Sequence, residues 1–234
     1  MLPADLRAAE AQALDAVQSA LAAEANGRWS VEWRFEGLRL LPLALRLTEG
    51  LIAAGLEPRL LFPDAGAAAL ARRDGAELAG RILDFGVLLR QPAEAVSEGA
   101  VSEGLLLAVA PSPADYAEFE QICGRHRGAV VMLNGRLEDA AVGIGSVARE
   151  RRRGFLSQWQ AAYALQPVDG GALRRAHPGP WELYREDADG FRFAAEFDQK
   201  PDAELQAQAL AGEAGVGLGG NLKALDAFIE GLRN

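Results

Sequence analysis

Four polar residues that could bind a ligand follow apolar segments of the chain. They are Asp64, Ser112, Asn134 and Arg136, and each lies in a turn ahead of a predicted helix. The apolar segments are continuous rather than alternating, which favours strands covered on both faces of a parallel sheet. Ligands of such sheets bind beyond the carboxyl ends of the strands, so these four are candidate ligand-binding residues. Arg136 is the strongest candidate, because its turn has no evident structural need for an arginine.

Two of these candidates have a structural alternative. Asp64 could hold a ribose, a metal-bound water or Arg152, and it could equally cap the helix that follows it. Ser112 precedes Pro113 and Asp115, a pattern typical of a helix cap with proline at the first helical position and an acid in the first turn. The alternative for Ser112 is a hydroxyl that binds phosphate at the helix start.

A second group of candidates surrounds the predicted start of a helix near Ser146. Gly143 and Gly145 fit the relaxed dinucleotide pattern G-x-G-x-x-A, but the clear strand before them ends ten residues earlier, which argues against a dinucleotide site. Backbone amides at this helix start, together with Arg149, Arg152 and Arg153, could still hold a phosphate or carboxylate. Arg152 lies on the apolar face of the predicted helix, so it must reach water, pair with a carboxylate or contact a ligand.

The best-defined catalytic motifs do not occur in the sequence. There is no G-x-x-x-x-G-K-[ST], G-x-S-x-G, S-x-x-K or paired-histidine motif, so no catalytic residue and no cofactor is assigned. The single cysteine, Cys123, excludes an internal disulfide. With two histidines, His126 and His177, it supplies too few ligands for a Cys/His metal site. Whether the protein is an enzyme stays open.

Charge is distributed unevenly along the chain. The formal net charge is −9, yet residues 142–175 contain six arginines and two acidic residues. A basic region on an acidic body favours a small anion or an acidic protein surface as partner, and it argues against nucleic acid. A solvated helix surface is the structural alternative.

Strand, turn and helix recur in three predicted units. Their strands are residues 59–62, 105–110 and 129–133, and right-handed connections between them give an open, mostly parallel sheet. Residues 31–35 alternate apolar and charged side chains, which is typical of an edge or half-exposed strand. Residues 82–89 are interpreted as a further strand. The predicted fold class is α/β, with a Rossmann-like sheet flanked by helices.

The helix that begins near Ser146 is predicted to continue to Tyr163. Apolar residues at spacings of three and four define one face of it. They are Ala148, Phe155, Leu156, Trp159, Ala162 and Tyr163.

After this helix the sequence favours short antiparallel strands. The Asp189-Gly190 turn between alternating segments indicates a hairpin. We therefore expect an α/β domain at 1–162, a C-terminal antiparallel β extension of it at 163–200, and a helical tail at 201–234. A terminal amphipathic helix is predicted at 222–232, and it could dock on this chain or on a partner.

The termini and apolar runs indicate no membrane insertion. No apolar run approaches the roughly 20 residues that a transmembrane helix needs, and the N-terminus lacks the pattern of a secretory signal. A cytoplasmic location without a transmembrane span is expected.

Several segments together resemble a known family. LFPDAGAAALARRD (61–74), VAPSPADY (109–116), VMLNGRLEDAAVGIGSVARERRRGF (131–155) and RRAHPGPWELYRED (174–187) are similar to the cyanobacterial and chloroplast family of unknown function that includes the plant factor named for low photosystem II accumulation. The resemblance implies an auxiliary role in photosystem assembly, with a photosynthetic membrane protein or assembly factor as partner at the thylakoid membrane. It supplies no catalytic residue.

Two functions follow as hypotheses. The first is a non-enzymatic accessory or assembly factor of the photosynthetic apparatus that binds a protein partner through the basic region. The alternative is a small-molecule enzyme or sensor that binds a phosphorylated or nucleotide-like ligand at the carboxyl ends of the parallel strands. A scaffold without a ligand site, in which Arg152 pairs with a carboxylate, is a third reading.

Overall fold

The computed structural model describes residues 1–91, 104–137 and 146–212. Its strands are β1 (Arg28–Trp33), β2 (Pro58–Phe62), β3 (Ile82–Asp84), β4 (Leu105–Val109), β5 (Val130–Leu133), β6 (Trp159–Val168), β7 (Gly171–Ala176), β8 (Trp181–Asp187) and β9 (Gly190–Phe197). Its α-helices are α1 (Leu6–Ala23), α2 (Leu40–Ala53), α3 (Ala65–Asp74), α4 (Phe85–Arg90), α5 (Tyr116–Arg125), α6 (Ser146–Leu156) and α7 (Ala203–Ala211).

All nine of these strands form one sheet in the order β3-β2-β4-β5-β1-β6-β7-β8-β9. The strands from β3 to β6 are parallel, and β6 to β9 are antiparallel. The predicted fold class is therefore confirmed, since helices flank a mostly parallel sheet with a C-terminal antiparallel extension and helix α7 follows the last strand. The predicted helix at 222–232 lies outside the described residues.

Helices cover both faces of the parallel strands. Alternate residues of a strand point to opposite faces, and in β4 Leu105, Leu107 and Val109 join the core under α1, α2 and α3. Leu106 and Ala108 join a separate core under α4, α5 and α6. We call these the first and the second face. The continuous apolar run of β4 follows from this double coverage.

Strand β1 lies in the middle of the sheet, between β5 and β6. The prediction of an edge or half-exposed strand at 31–35 is therefore wrong. Trp29, Val31 and Trp33 belong to the first-face core, as the alternation indicates. Glu32 and Arg34, which suggested exposure to bulk water, are only partly exposed and lie 3.4 Å apart.

The prediction that the helix near Ser146 continues to Tyr163 is also wrong. The helix ends at Leu156, and β6 begins at Trp159. A register shift against β1 inserts one extra residue into β6, because Ser30 pairs with Ala161 and Val31 pairs with Tyr163. This β-bulge puts the consecutive residues Ala162 and Tyr163 into the same core. Together with Trp159, these two neighbouring residues have the spacing of three and four that is typical of a helix face.

The apolar segment 82–89 is a strand over only its first three residues. Asp84 ends β3, and its carboxylate accepts a hydrogen bond from the backbone N–H of Val87 at 2.8 Å. It therefore caps helix α4, which begins at Phe85. Within the described ranges, no helix has both the length and the apolar character that crossing a membrane requires.

Candidate functional site

A cavity of about 560 Å³ opens at the carboxyl ends of β1, β4 and β5. We call it the carboxyl-edge cavity. Three of the predicted site residues line it: Ser112, Asn134 and Arg136. Its volume falls in the range of small-molecule sites.

The sheet topology explains where this cavity lies. Strand β1 is followed by α2 on the first face, whereas the neighbouring strand β5 leads to α6 on the second face. Connections that leave adjacent parallel strands towards opposite faces open a crevice between them, and such crevices are where open α/β sheets bind ligands.

Two residues in the left-handed region turn the chain at this edge. Ala110 follows β4 and Asn134 follows β5, and each has a φ of 51°. The N–H of Ala110 donates to the carbonyl of Leu133 at 2.8 Å, which fixes the two strand ends to each other. Asparagine tolerates this conformation, whereas alanine adopts it at a cost of about 1–2 kcal/mol. The left-handed alanine therefore stores backbone strain beside the cavity.

Asn134 holds strand β1 against strand β5. Its side-chain oxygen accepts from the N–H of Trp33 at 2.7 Å, and its side-chain nitrogen donates to the carbonyl of Trp33 at 2.8 Å. Its own N–H donates to the carbonyl of Val31 at 2.8 Å. The side chain thus replaces the next pair of ladder bonds after β5 has ended. Its amide is occupied by the backbone, which favours a structural role.

Two guanidinium groups face the carboxyl-edge cavity. Arg136 is exposed, and its side chain has no hydrogen-bond or ion-pair partner in the part of the chain that the structure describes. Arg34 is partly exposed and donates to the carbonyl of Gly135 at 2.7 Å. Glu36 also lies on the wall, and the Glu32 carboxylate lies 3.4 Å from the Arg34 guanidinium. Among the described residues, Arg136 is therefore the cation of this cavity that no carboxylate pairs with. Sequence reasoning missed Arg34 because the alternating pattern of β1 assigned it to solvent.

Ser112 acts as the predicted helix cap. The Asp115 carboxylate accepts from the Ser112 hydroxyl at 2.5 Å and from the Ser112 N–H at 2.8 Å. The bond from the Ser112 N–H is one half of a capping box, and the other half is the bond that the Ser112 side chain accepts from the N–H of Asp115. The hydroxyl is therefore committed to Asp115, although the residue lines the cavity.

Asp64 and Arg152 lie away from the carboxyl-edge cavity. Asp64 is exposed and accepts from the N–H of Ala67 at 2.9 Å, so it caps helix α3. The Arg152 guanidinium lies 4.7 Å from the centre of the Tyr116 ring, a distance at which a cation is attracted by the aromatic face. The structure thus gives Asp64 the capping role, and Arg152 contacts an aromatic ring of the second-face core.

The remaining candidates fall on or beside a segment outside the described ranges. Gly143 and Gly145 lie outside the described residues. Arg149 belongs to helix α6, but its side chain is not among the described ones. Of the six arginines of this basic region, the structure therefore describes the side chains of Arg152, Arg153, Arg174 and Arg175, and of these Arg153 is exposed.

The comparisons with known proteins give a family. No curated protein matches the sequence significantly. Residues 3–208 match a family described as a domain of unknown function, DUF1995, and this range includes nearly all of the described structure. The chain therefore belongs to the DUF1995 family.

Proposed function

We propose that the protein binds a small anionic ligand, phosphorylated or nucleotide-like, in the carboxyl-edge cavity, and acts as a small-molecule sensor or enzyme. The supporting observation is that Arg34 and Arg136 face a ligand-sized cavity at a point where adjacent parallel strands connect to opposite faces. Guanidinium groups form short, charge-assisted hydrogen bonds with phosphate and carboxylate oxygens.

The two arginines have different roles in this proposal. Arg34 is held by the carbonyl of Gly135 and by the Glu32 carboxylate at 3.4 Å, so it presents N–H donors in a fixed position. Arg136 is exposed, so it can close over an anion as the anion arrives. Leu38 and Leu40 add apolar wall, which suits the sugar or base of a nucleotide better than a bare inorganic ion.

Thermal-shift measurements with ADP, glucose 6-phosphate and inorganic phosphate test this function. A ligand that binds the folded state raises the melting temperature by mass action. We expect ADP or the sugar phosphate to raise it at millimolar concentration, and Arg136→Met to remove most of the rise. Arg153→Met is the matched control, since Arg153 is an exposed arginine that does not line this cavity. If none of the three anions raises the melting temperature, this function is overturned.

A second candidate function is an accessory factor of the photosynthetic apparatus. It is supported by the resemblance of residues 61–74, 109–116, 131–155 and 174–187 to the cyanobacterial and chloroplast family. The partner would be a photosynthetic membrane protein or assembly factor, met at the surface of the thylakoid membrane through the basic region.

Affinity purification from detergent-solubilised thylakoid membranes at low salt tests this second function. We expect the wild-type protein to recover a photosystem subunit or assembly factor, and Arg153→Glu to recover less of it. Recovery of no photosynthetic protein by the wild type at low salt would overturn it, whatever the outcome of the ligand screen.

A further inference from the structure

A second cavity, of about 410 Å³, lies on the second face of the sheet. We call it the sheet-face cleft. Its floor is formed by β1 and β6, and its sides by Leu156 of α6 and by residues 198–200 after β9. The cleft is distinct from the carboxyl-edge cavity, and no residue is shared between the two walls.

One cross-strand row brings opposite charges into the sheet-face cleft. Glu32 pairs with Ala164, Ala164 pairs with Arg175, and Arg175 pairs with Trp181. Neighbouring strands lie about 4.8 Å apart, so the backbones of Glu32 and Arg175 are roughly 10 Å apart. Only the methyl group of Ala164 stands between them in this row. Both charged side chains line the same cleft.

The guanidinium of Arg175 lacks a carboxylate partner. Its Nε donates to the carbonyl of Ala161 at 2.9 Å, and the group lies 5.8 Å from the centre of the Trp181 ring. Across residues 1–91, 104–137 and 146–212, no acidic group forms an ion pair with it. Burial lowers the pKa of Arg175. A half-buried cation without an anionic partner is energetically disfavoured, and an anion that binds beside it removes this cost.

Acceptor groups on the opposite side of the cleft are also incompletely used. The Glu32 side chain is 12% exposed, and its partner is Arg34 at 3.4 Å, which is a long contact for a charge-assisted hydrogen bond. Ser30 is 6% exposed, and its hydroxyl has no hydrogen-bond partner among the described residues. Both groups line the sheet-face cleft, so they offer acceptor oxygens to a donor group that binds there.

We propose that the sheet-face cleft binds a free α-amino acid with an apolar or aromatic side chain. Its ammonium group would donate to Glu32 and Ser30, and its carboxylate would accept from Arg175. Lys200, 5.5 Å from the centre of the Trp181 ring, adds a second cation at the exposed rim beside Asp198.

The presence of both charges favours a zwitterion over an anion or a cation alone. A ligand that carries only a negative charge would be attracted by Arg175 and repelled by Glu32. A ligand that carries only a positive charge would be attracted by Glu32 and repelled by Arg175. A zwitterion satisfies both groups at once. The walls also include Met132, Leu137, Leu156 and Trp159, so an apolar or aromatic side chain gains buried surface there.

Isothermal titration with L-phenylalanine and two matched analogues tests this assignment on the wild-type protein. Phenethylamine lacks the carboxylate, and 3-phenylpropionate lacks the ammonium group. We expect both analogues to bind at least about tenfold more weakly than L-phenylalanine, because a hydrogen bond to a charged group contributes at least the free energy of a tenfold affinity change. An analogue that binds as tightly as L-phenylalanine overturns the proposal, as does failure of L-phenylalanine, L-leucine and L-tryptophan to bind at millimolar concentration.

Two variants assign the ends of the ligand. Glu32→Gln should weaken L-phenylalanine about tenfold or more, and it should not weaken 3-phenylpropionate, because it removes a charge that repels this anion. Arg175→Met should weaken both. Arg136→Met, in the other cavity, should leave L-phenylalanine binding unchanged while it reduces anion binding at the carboxyl edge. Equal loss in all three variants would place the amino acid elsewhere and overturn the assignment. The two cavities can thus succeed or fail separately.

Discussion

Replacing Asn134 by alanine should destabilise the protein strongly, although Asn134 borders a cavity rather than the centre of a core. The change removes the two hydrogen bonds from its side chain to the N–H and carbonyl of Trp33, at 2.7 and 2.8 Å. It also leaves an alanine at a φ of 51°. The backbone of Trp33, at the end of β1, then has no hydrogen bond to residue 134, and the bond from the N–H of residue 134 to the carbonyl of Val31 remains.

The magnitude can be estimated from these contacts. A typical hydrogen bond contributes about 0.5–1.5 kcal/mol, and a buried polar group left without a partner costs about 1–3 kcal/mol. Water in the adjoining cavity can reach the N–H and the carbonyl of Trp33 once the side chain is removed, so the lower end of both ranges applies. The loss of the two hydrogen bonds should then cost about 2 kcal/mol in total. The left-handed alanine adds about 1 kcal/mol. The free energy of unfolding should therefore fall by about 3 kcal/mol.

Urea unfolding followed by tryptophan fluorescence measures this loss, because Trp33 is buried at the affected place. With a slope of about 2–3 kcal/mol per molar urea, the midpoint should fall by about 1 M while the slope stays unchanged. Asn134→Gly is the matched control, since glycine accepts the positive φ and loses only the hydrogen bonds. The free energy of unfolding of the glycine variant should lie between those of the alanine variant and the wild type. An alanine variant within about 0.5 kcal/mol of wild type would refute the structural role of this side chain.

Three further predictions concern groups outside both cavities. Asp64→Ala should lower the free energy of unfolding by about 1 kcal/mol and Asp64→Asn by much less, since asparagine also caps helices; equal losses would contradict the cap. Burial raises the pKa of Glu182, but hydrogen bonds from Tyr184 and Arg174 outweigh it and hold the pKa below its ordinary 4.5. Its carboxylate therefore stabilises the fold above that pH, and the stability difference between wild type and Glu182→Gln should shrink as the pH falls from about 6 to about 3; a difference independent of pH would contradict this. Burial raises the pKa of the Cys123 thiol to about 12, so iodoacetamide at about pH 8 should modify it only after urea unfolds the chain, and rapid modification of the folded protein would refute this.

Local signals in the sequence predicted the parts of the fold that depend on neighbouring residues. The continuous apolar residues of β4 and β5 indicated strands covered on both faces, and the structure has cores on both sides of them. The caps at Asp64 and Ser112 were also recognisable, because a cap and the N–H it binds lie within one helical turn.

Features that depend on distant partners could not be predicted in this way. Asn134 was interpreted as a ligand-binding residue, because nothing near it shows that the backbone of Trp33, 101 positions away, lacks a ladder partner. The bulge at Ala162 and Tyr163 arises from pairing with β1. From the sequence alone, two adjacent apolar residues fit a helix face as well as a bulged strand.

The wrong prediction of an edge strand at 31–35 also arose because the partners of β1 are distant in sequence. This error concerns residues that line the two candidate sites. Alternating charged residues show that one face of a strand meets polar surroundings, but they do not distinguish bulk water from a polar cavity. In the structure, Glu32 lines the sheet-face cleft and Arg34 lines the carboxyl-edge cavity. Glu32 lies between the buried Trp29 and Trp33, and Arg34 directly follows β1. Such a partly buried charged pair is costly unless it is compensated. The residues that made β1 resemble an edge strand are therefore those that supply charge to both candidate sites.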